Sequence, residues 1–75
     1  MDADTTLDCK GLNCPMPVLK AKKAIESLEP GKILKIVTTD KGSLNDMPAF
    51  AKRTGNELLE IKEEDNTFVF FMKKS

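Results

Sequence analysis

The chain has 75 residues, 40% of them hydrophobic, with 12 basic residues balanced by 12 acidic ones. That is room for one domain (residues 1–75, with an ordered core over about 5–73). At this size folding buries only about 60% of the unfolded surface, so eight Leu, four Ile and four Phe must make an economical core. A net charge of zero gives no overall field toward nucleic acid or an anionic membrane. With no His and only two Cys, the usual tetrahedral zinc sets, Ser-His-Asp catalysis and Cys-His catalysis are all excluded.

No apolar run approaches the roughly 20 residues of a membrane span. Three Asp fall among the first eight residues, so no secretory leader is expected either. The composition predicts a small soluble domain of the cytoplasm. A disulfide between Cys9 and Cys14 would close a very short loop and is not expected to persist there.

In chain order, Thr5 to Cys9 reads as a strand with Leu7 and Cys9 on one face, and Gly11 permits the turn after it. Pro15 to Leu28 reads as a helix whose stripe is Val18, Ala21, Ile25 and Leu28, widened by Leu19 and Ala24. Glu29-Pro30-Gly31 ends it. Lys32 to Thr39 is the second strand, with Leu34, Ile36 and Thr38 on one face and Ile33, Lys35 and Val37 on the other. A second helix ends near Gly55. Ser43 and Asp46 both offer caps for it, and Asp46 is preferred because Pro48 then falls in the first turn.

Leu58 to Glu64 and Thr67 to Lys73 form a hairpin about Asp65-Asn66, a pair suited to positive φ. A two-residue turn sets Ile61 opposite Phe70, Leu59 opposite Met72, Lys62 opposite Val69 and Glu60 opposite Phe71. The order β-α-β-α-β-β predicts an α+β, two-layer sandwich, with both helices on one face of a four-stranded mixed sheet. The other face would carry Ile33, Val37, Leu58, Val69 and Phe71 among charged residues. It is either a half-polar face in water or a docking surface for a regulatory or binding module.

Cys14-Pro15-Met16-Pro17 is the segment that points to chemistry. Cys14 occupies a capping position where Ser, Asp or Asn would serve a purely structural end better. Pro15 and Pro17 stiffen the first turn and orient the thiol. They would leave the N–H of Met16, with that of Val18 as a second candidate, pointing toward the sulfur. A helix N-terminus favours a thiolate, which is nucleophilic without histidine. Cys9 reads as a small core hydrophobe, with a resolving thiol as the alternative. Lys20, Lys22 and Lys23 read as a solvated helix face, with a docking site as the alternative, and Lys22 is weakly paired with Glu26. Lys10 could add positive potential near Cys14. Asp8 and Asp46, beside turns, are placed to accept hydrogen bonds from loop N–H groups. Without exposed aromatics near the lysines, direct nucleic-acid binding is not expected.

The stretch Leu7-Asp8-Cys9-Lys10-Gly11-Leu12-Asn13-Cys14-Pro15-Met16-Pro17-Val18-Leu19 resembles the CPxP signature of the TusA family of small sulfur carriers, also called SirA-like. Glu29-Pro30-Gly31 and Asp46-Met47-Pro48-Ala49-Phe50 continue the resemblance. It implies that Cys14 accepts sulfane sulfur as a persulfide and relays it to another protein's cysteine, with no cofactor and no metal. Implied donors are a cysteine desulfurase or a rhodanese-like protein. Implied acceptors are DsrE-like and other sulfur-relay proteins, serving tRNA thiolation, molybdenum-cofactor synthesis or dissimilatory sulfur metabolism. Asn13 stands where some members carry Arg, and Ala51-Lys52 where some tRNA-pathway members carry another Cys.

Overall fold

The computed structural model describes residues 2–13 and 16–75. Its elements follow the expected order: β1 (Thr5–Cys9), α1 (Met16–Glu26), β2 (Ile33–Thr38), α2 (Ser43–Thr54), β3 (Glu57–Glu64) and β4 (Thr67–Lys73). The sheet order is β1-β2-β4-β3, with β1 parallel to β2 and both other pairings antiparallel. α1 lies over β1 and β2, and α2 over β3 and β4. This is the expected α+β sandwich.

The helices bury their inner stripes on one sheet face. Ala21 and Ile25 of α1 and Met47, Phe50 and Ala51 of α2 meet Cys9, Leu34, Ile36, Phe68, Phe70 and Met72. The α1 stripe differs from its periodicity reading at two positions. Pro17 is fully buried, whereas Leu19 is 49% exposed. At about 100° per residue, Leu19 lies about 200° round the helix from both Pro17 and Ala21, so the buried pair turns it outward. Beyond Glu26, Ser27 and Leu28 donate to the carbonyls of Ala24 and Ile25. These tighter bonds close the helix as one 3₁₀-like turn through Leu28.

α2 begins earlier than expected, and neither Ser43 nor Asp46 caps it. Gly42 holds the N-cap position without a side-chain cap. Asp40 organises the start instead: its Oδ1 accepts the Gly42 N–H (3.1 Å) and its carbonyl accepts the Ser43 N–H (3.0 Å). The Asp46 N–H already donates to Gly42 at 2.9 Å, so the ladder runs before Pro48 is reached. Pro48 therefore sits inside the helix and forfeits only the bond to Leu44, a residue on the exposed side.

The hairpin turn is as expected, with Asp65 at φ 44° and Asn66 at φ 65°. The pairs Ile61–Phe70, Lys62–Val69 and Glu60–Phe71 also match. Beyond Glu60 the register slips at a bulge, and Leu58, not Leu59, pairs with Met72. Leu58 consequently packs against the core instead of lying on the outer face, and Leu59 is the extra residue opposite Phe71.

The outer sheet face is better covered than a bare sheet would be. Val69 is 8% and Phe71 4% exposed. Their strand, β4, lies between β2 and β3, so neighbours flank it on both sides. Lys35 is paired with Phe71, and the Lys62 ammonium sits 6.0 Å from the Phe71 ring centroid. Long lysine stems that roof an aromatic while their charges stay wet account for the burial. The face is half-polar, with its central apolar residues Val69 and Phe71 covered by their neighbours.

Candidate functional site

The loop that leads from β1 toward the Cys14 segment begins where the two parallel strands end. After β1, the Leu12 N–H donates to the Cys9 carbonyl (3.2 Å), closing a β-turn with Gly11 at its third position. Gly11 has φ +82°, the positive value that such a turn requires there. A side chain at Gly11 would meet nothing within 4 Å, so its cost is the backbone conformation alone, about 1–2 kcal/mol. The Gly11 N–H donates to Thr39 Oγ1 at 2.9 Å, which ties the loop after β1 to the loop after β2.

Asp8 supports the same loop. Its Oδ1 accepts the Lys10 N–H at 3.0 Å, bracing the chain as it leaves the strand. Lys10 itself is exposed. Asp46 is half-buried near the start of α2, the element that follows the Thr39 loop. Cys14 and Pro15 lie outside the described residues. On either side of them, the Met16 N–H donates to the Asn13 carbonyl at 2.9 Å. This corrects the expectation that the Met16 N–H points toward the sulfur: with α1 starting at Met16, that donor closes the turn into the helix. Pro17, expected to stiffen the first turn and orient the thiol, is also fully buried, which anchors the start of α1 on the core.

Cys9 is fully buried in the core cluster, on the opposite side of β1 from Asp8. Burial pushes its thiol above the ordinary value, more than the positive charge of Lys20 draws it down, and Asp8 adds to the rise. A thiol held protonated and covered is a poor nucleophile, which favours the core reading over the resolving one. Its cross-strand partner Thr38 is also fully buried, and Thr38 Oγ1 has no hydrogen-bond partner among the described residues.

Sequence reading missed Thr39, and it named Lys20 only as part of the polar side of α1, without its nearness to Cys9. Thr39 had a visible cue, a hydroxyl residue leading into the Asp40–Gly42 turn. Lys20 had none, because its proximity to the end of β1 comes from how α1 lies on the sheet.

Residues 5–74 match the family described as Sulfurtransferase TusA. The chain is 53% identical over 74 residues to the sulfur carrier protein TusA of Allochromatium vinosum, covering 99% of this chain and 97% of that one. It is 46% identical to the Bacillus subtilis putative sulfur carrier protein YrkI, with 99% of each covered. A crystal structure of a SirA-like protein from Desulfitobacterium hafniense superposes with a TM-score of 0.76 at 30% identity, over 92% of this chain and 93% of that one. A two-layer β-α-β-α-β-β fold, a glycine turn tied to Thr39 before the CPxP segment, and likeness along nearly the whole length agree on one conclusion. The chain belongs to the TusA family of sulfur carriers.

Proposed function

We propose that this protein carries sulfane sulfur as a persulfide on Cys14 and hands it to a cysteine of an acceptor protein. The observation that supports this most is full-length similarity to named sulfur carriers, together with a sequence, Cys14-Pro15-Met16-Pro17, that runs into α1. Cys14 precedes the first residue of that helix by two positions. The dipole at a helix N-terminus stabilises a thiolate, and a persulfide anion by the same reasoning. The chain contains no histidine, so the carrier would depend on its partners for any further acid–base chemistry.

The roles follow from the chain order. Pro15 and Pro17 orient the thiol, Gly11 and Asp8 shape and brace the loop, and Lys10 and Asp46 support it. The donor is a cysteine desulfurase or a rhodanese-like protein, and the acceptor a DsrE-like or other relay protein of the cytoplasm. No helix among the described residues is long and apolar enough to cross a membrane. The rival reading, a regulatory module docking through the outer sheet face, has less to work with because Phe71 and Val69 are already covered.

Intact mass spectrometry after incubation with polysulfide tests the reading. Wild type and Cys9→Ser should gain one sulfur atom that a reductant removes, and Cys14→Ser should gain none. A gain that persists in Cys14→Ser, or its absence from a folded, alkylatable wild type, would overturn the proposal.

A further inference from the structure

Besides Met16 and Leu19 on α1, the large apolar side chains left exposed among the described residues are Leu44 and Ile61, at 37% and 42%. Ile61 is cross-strand to the buried Phe70, so it stands on the helix-bearing side of β3, next to α2. Phe50 and Thr54 of α2 border a cavity with Lys22, Ile25 and Glu26 of α1. Leu44 lies about 100° round α2 from that pair and within about 20° of the buried Ala51, on the flank turned from α1 toward β3. The two residues mark one apolar margin, along a strand with no neighbour on its outer side.

The same edge is complementary to itself. In a two-residue hairpin turn Glu64 and Thr67 exchange both backbone bonds, so Lys62 and Glu60 also bond to β4. The N–H and C=O groups of Ile61 and Glu63 then point away from β4. An antiparallel copy centred on Ile61 sets Ile61 opposite Ile61, Glu60 opposite Lys62 and Leu59 opposite Glu63. Shifting the centre to either side opposes Glu60 to Glu60 or Lys62 to Lys62, with like charges face to face. Charges commonly guard an edge strand. Here they reject the neighbouring registers and fit one. The other edge, β1, has five residues, exposes no large apolar side chain and holds no basic residue to meet Asp8 of a second copy.

We infer that two copies of this chain form a twofold dimer in which their β3 edges pair antiparallel about Ile61, making one eight-stranded sheet. Ile61 and Leu44 of both copies come together on the helix-bearing side, and Glu60 meets Lys62 twice on the other. β1, with α1 above it, lies at each outer end of that sheet, clear of the contact. The bulge before Glu60 keeps the regular ladder short, so the dimer is weak and reversible.

Sedimentation equilibrium of the full chain, from about 10 μM to about 1 mM, should show monomer and dimer in reversible exchange. Concentration should shift the amide signals of Ile61 and Glu63. Glu60→Lys and Lys62→Glu, each alone, should weaken dimerisation about tenfold or more, because each opposes like charges twice. Mixed in equal amounts, the two variants should associate to within about threefold of wild type, since each offers the other the opposite sign at both pairs. Ile61→Lys, on the side of the sheet away from Phe71, should also abolish the dimer, which separates lost contact from lost fold should Lys62→Glu uncover Phe71. A wild type still monomeric at about 1 mM, a dimer indifferent to the charge reversals, or folded variants that fail to rescue each other would overturn the inference. Amide shifts centred on β1 would overturn it too.

Discussion

At the scale of single residues, two neighbours at the end of the parallel strands carry opposite lessons. Thr38 buries a hydroxyl with no partner among the described residues, and such a group is destabilising in an apolar core. Thr38→Val keeps the shape and removes the polar atom, so it should stabilise the fold by about 1–3 kcal/mol, read as a raised urea midpoint with unchanged slope. Cys9 beside it is well suited to its place as a thiol but not as a thiolate. Its folded pKa is raised, so above about pH 8.5 the unfolded chain releases this proton before the folded one does. Stability is then fully present below that pH and falls as pH rises toward the folded pKa. Wild type should lose urea stability between pH 8.5 and 10 relative to Cys9→Ala, which lacks the buried thiol. Superimposable pH curves would contradict this.

Among the elements, the hairpin is where local chemistry governs most directly. Asp65 and Asn66 both take positive φ, and the pairs nearest the turn follow from its two-residue length. Asn66→Ala should cost about 1–2 kcal/mol in chemical denaturation, and Asn66→Gly should cost nothing. A tolerated alanine would mean that the strands, and not the turn, hold the register. Toward the other end of β3 that is what happens. The bulge before Glu60 returns Leu58 to the core beside Met72, and no turn rule reaches that far. α2 makes the same point at its start, where Asp40 begins the helix ahead of Pro48 although cap patterns favoured a later residue.

For the molecule as a whole, the outcome is one covered sheet face and one outward helix face. Phe71 looked like a surface residue by alternation and is nearly buried, roofed from both sides by lysine-bearing strands. Phe71→Ala should therefore lower stability by about 3–5 kcal/mol, as for a core aromatic, and Phe71→Lys should unfold a domain this small. A Phe71 variant with the wild-type thermal midpoint would restore the open-face picture. The converse holds for Leu19, which periodicity assigned to the core and packing left outside. Binding studies should accordingly change α1, where substitutions leave the core intact, and avoid β4.

The order of elements, the core faces of β1 and β2, the glycine turn and the CPxP segment were all legible in the residues, because each depends on neighbours within a few positions. Alternation of period two, turn chemistry and a proline-led helix start act locally, and they also carry the family resemblance. Tertiary structure alone decided that Gly11 leans on Thr39, that Leu58 and Leu59 exchange roles, that Phe71 is covered and that Leu19 is not. Each of those outcomes pairs residues far apart in the chain or sets an element's rotation against its neighbours. In a core this small, the fit between layers determines which of several apolar side chains is buried, and no periodicity within one element contains that information.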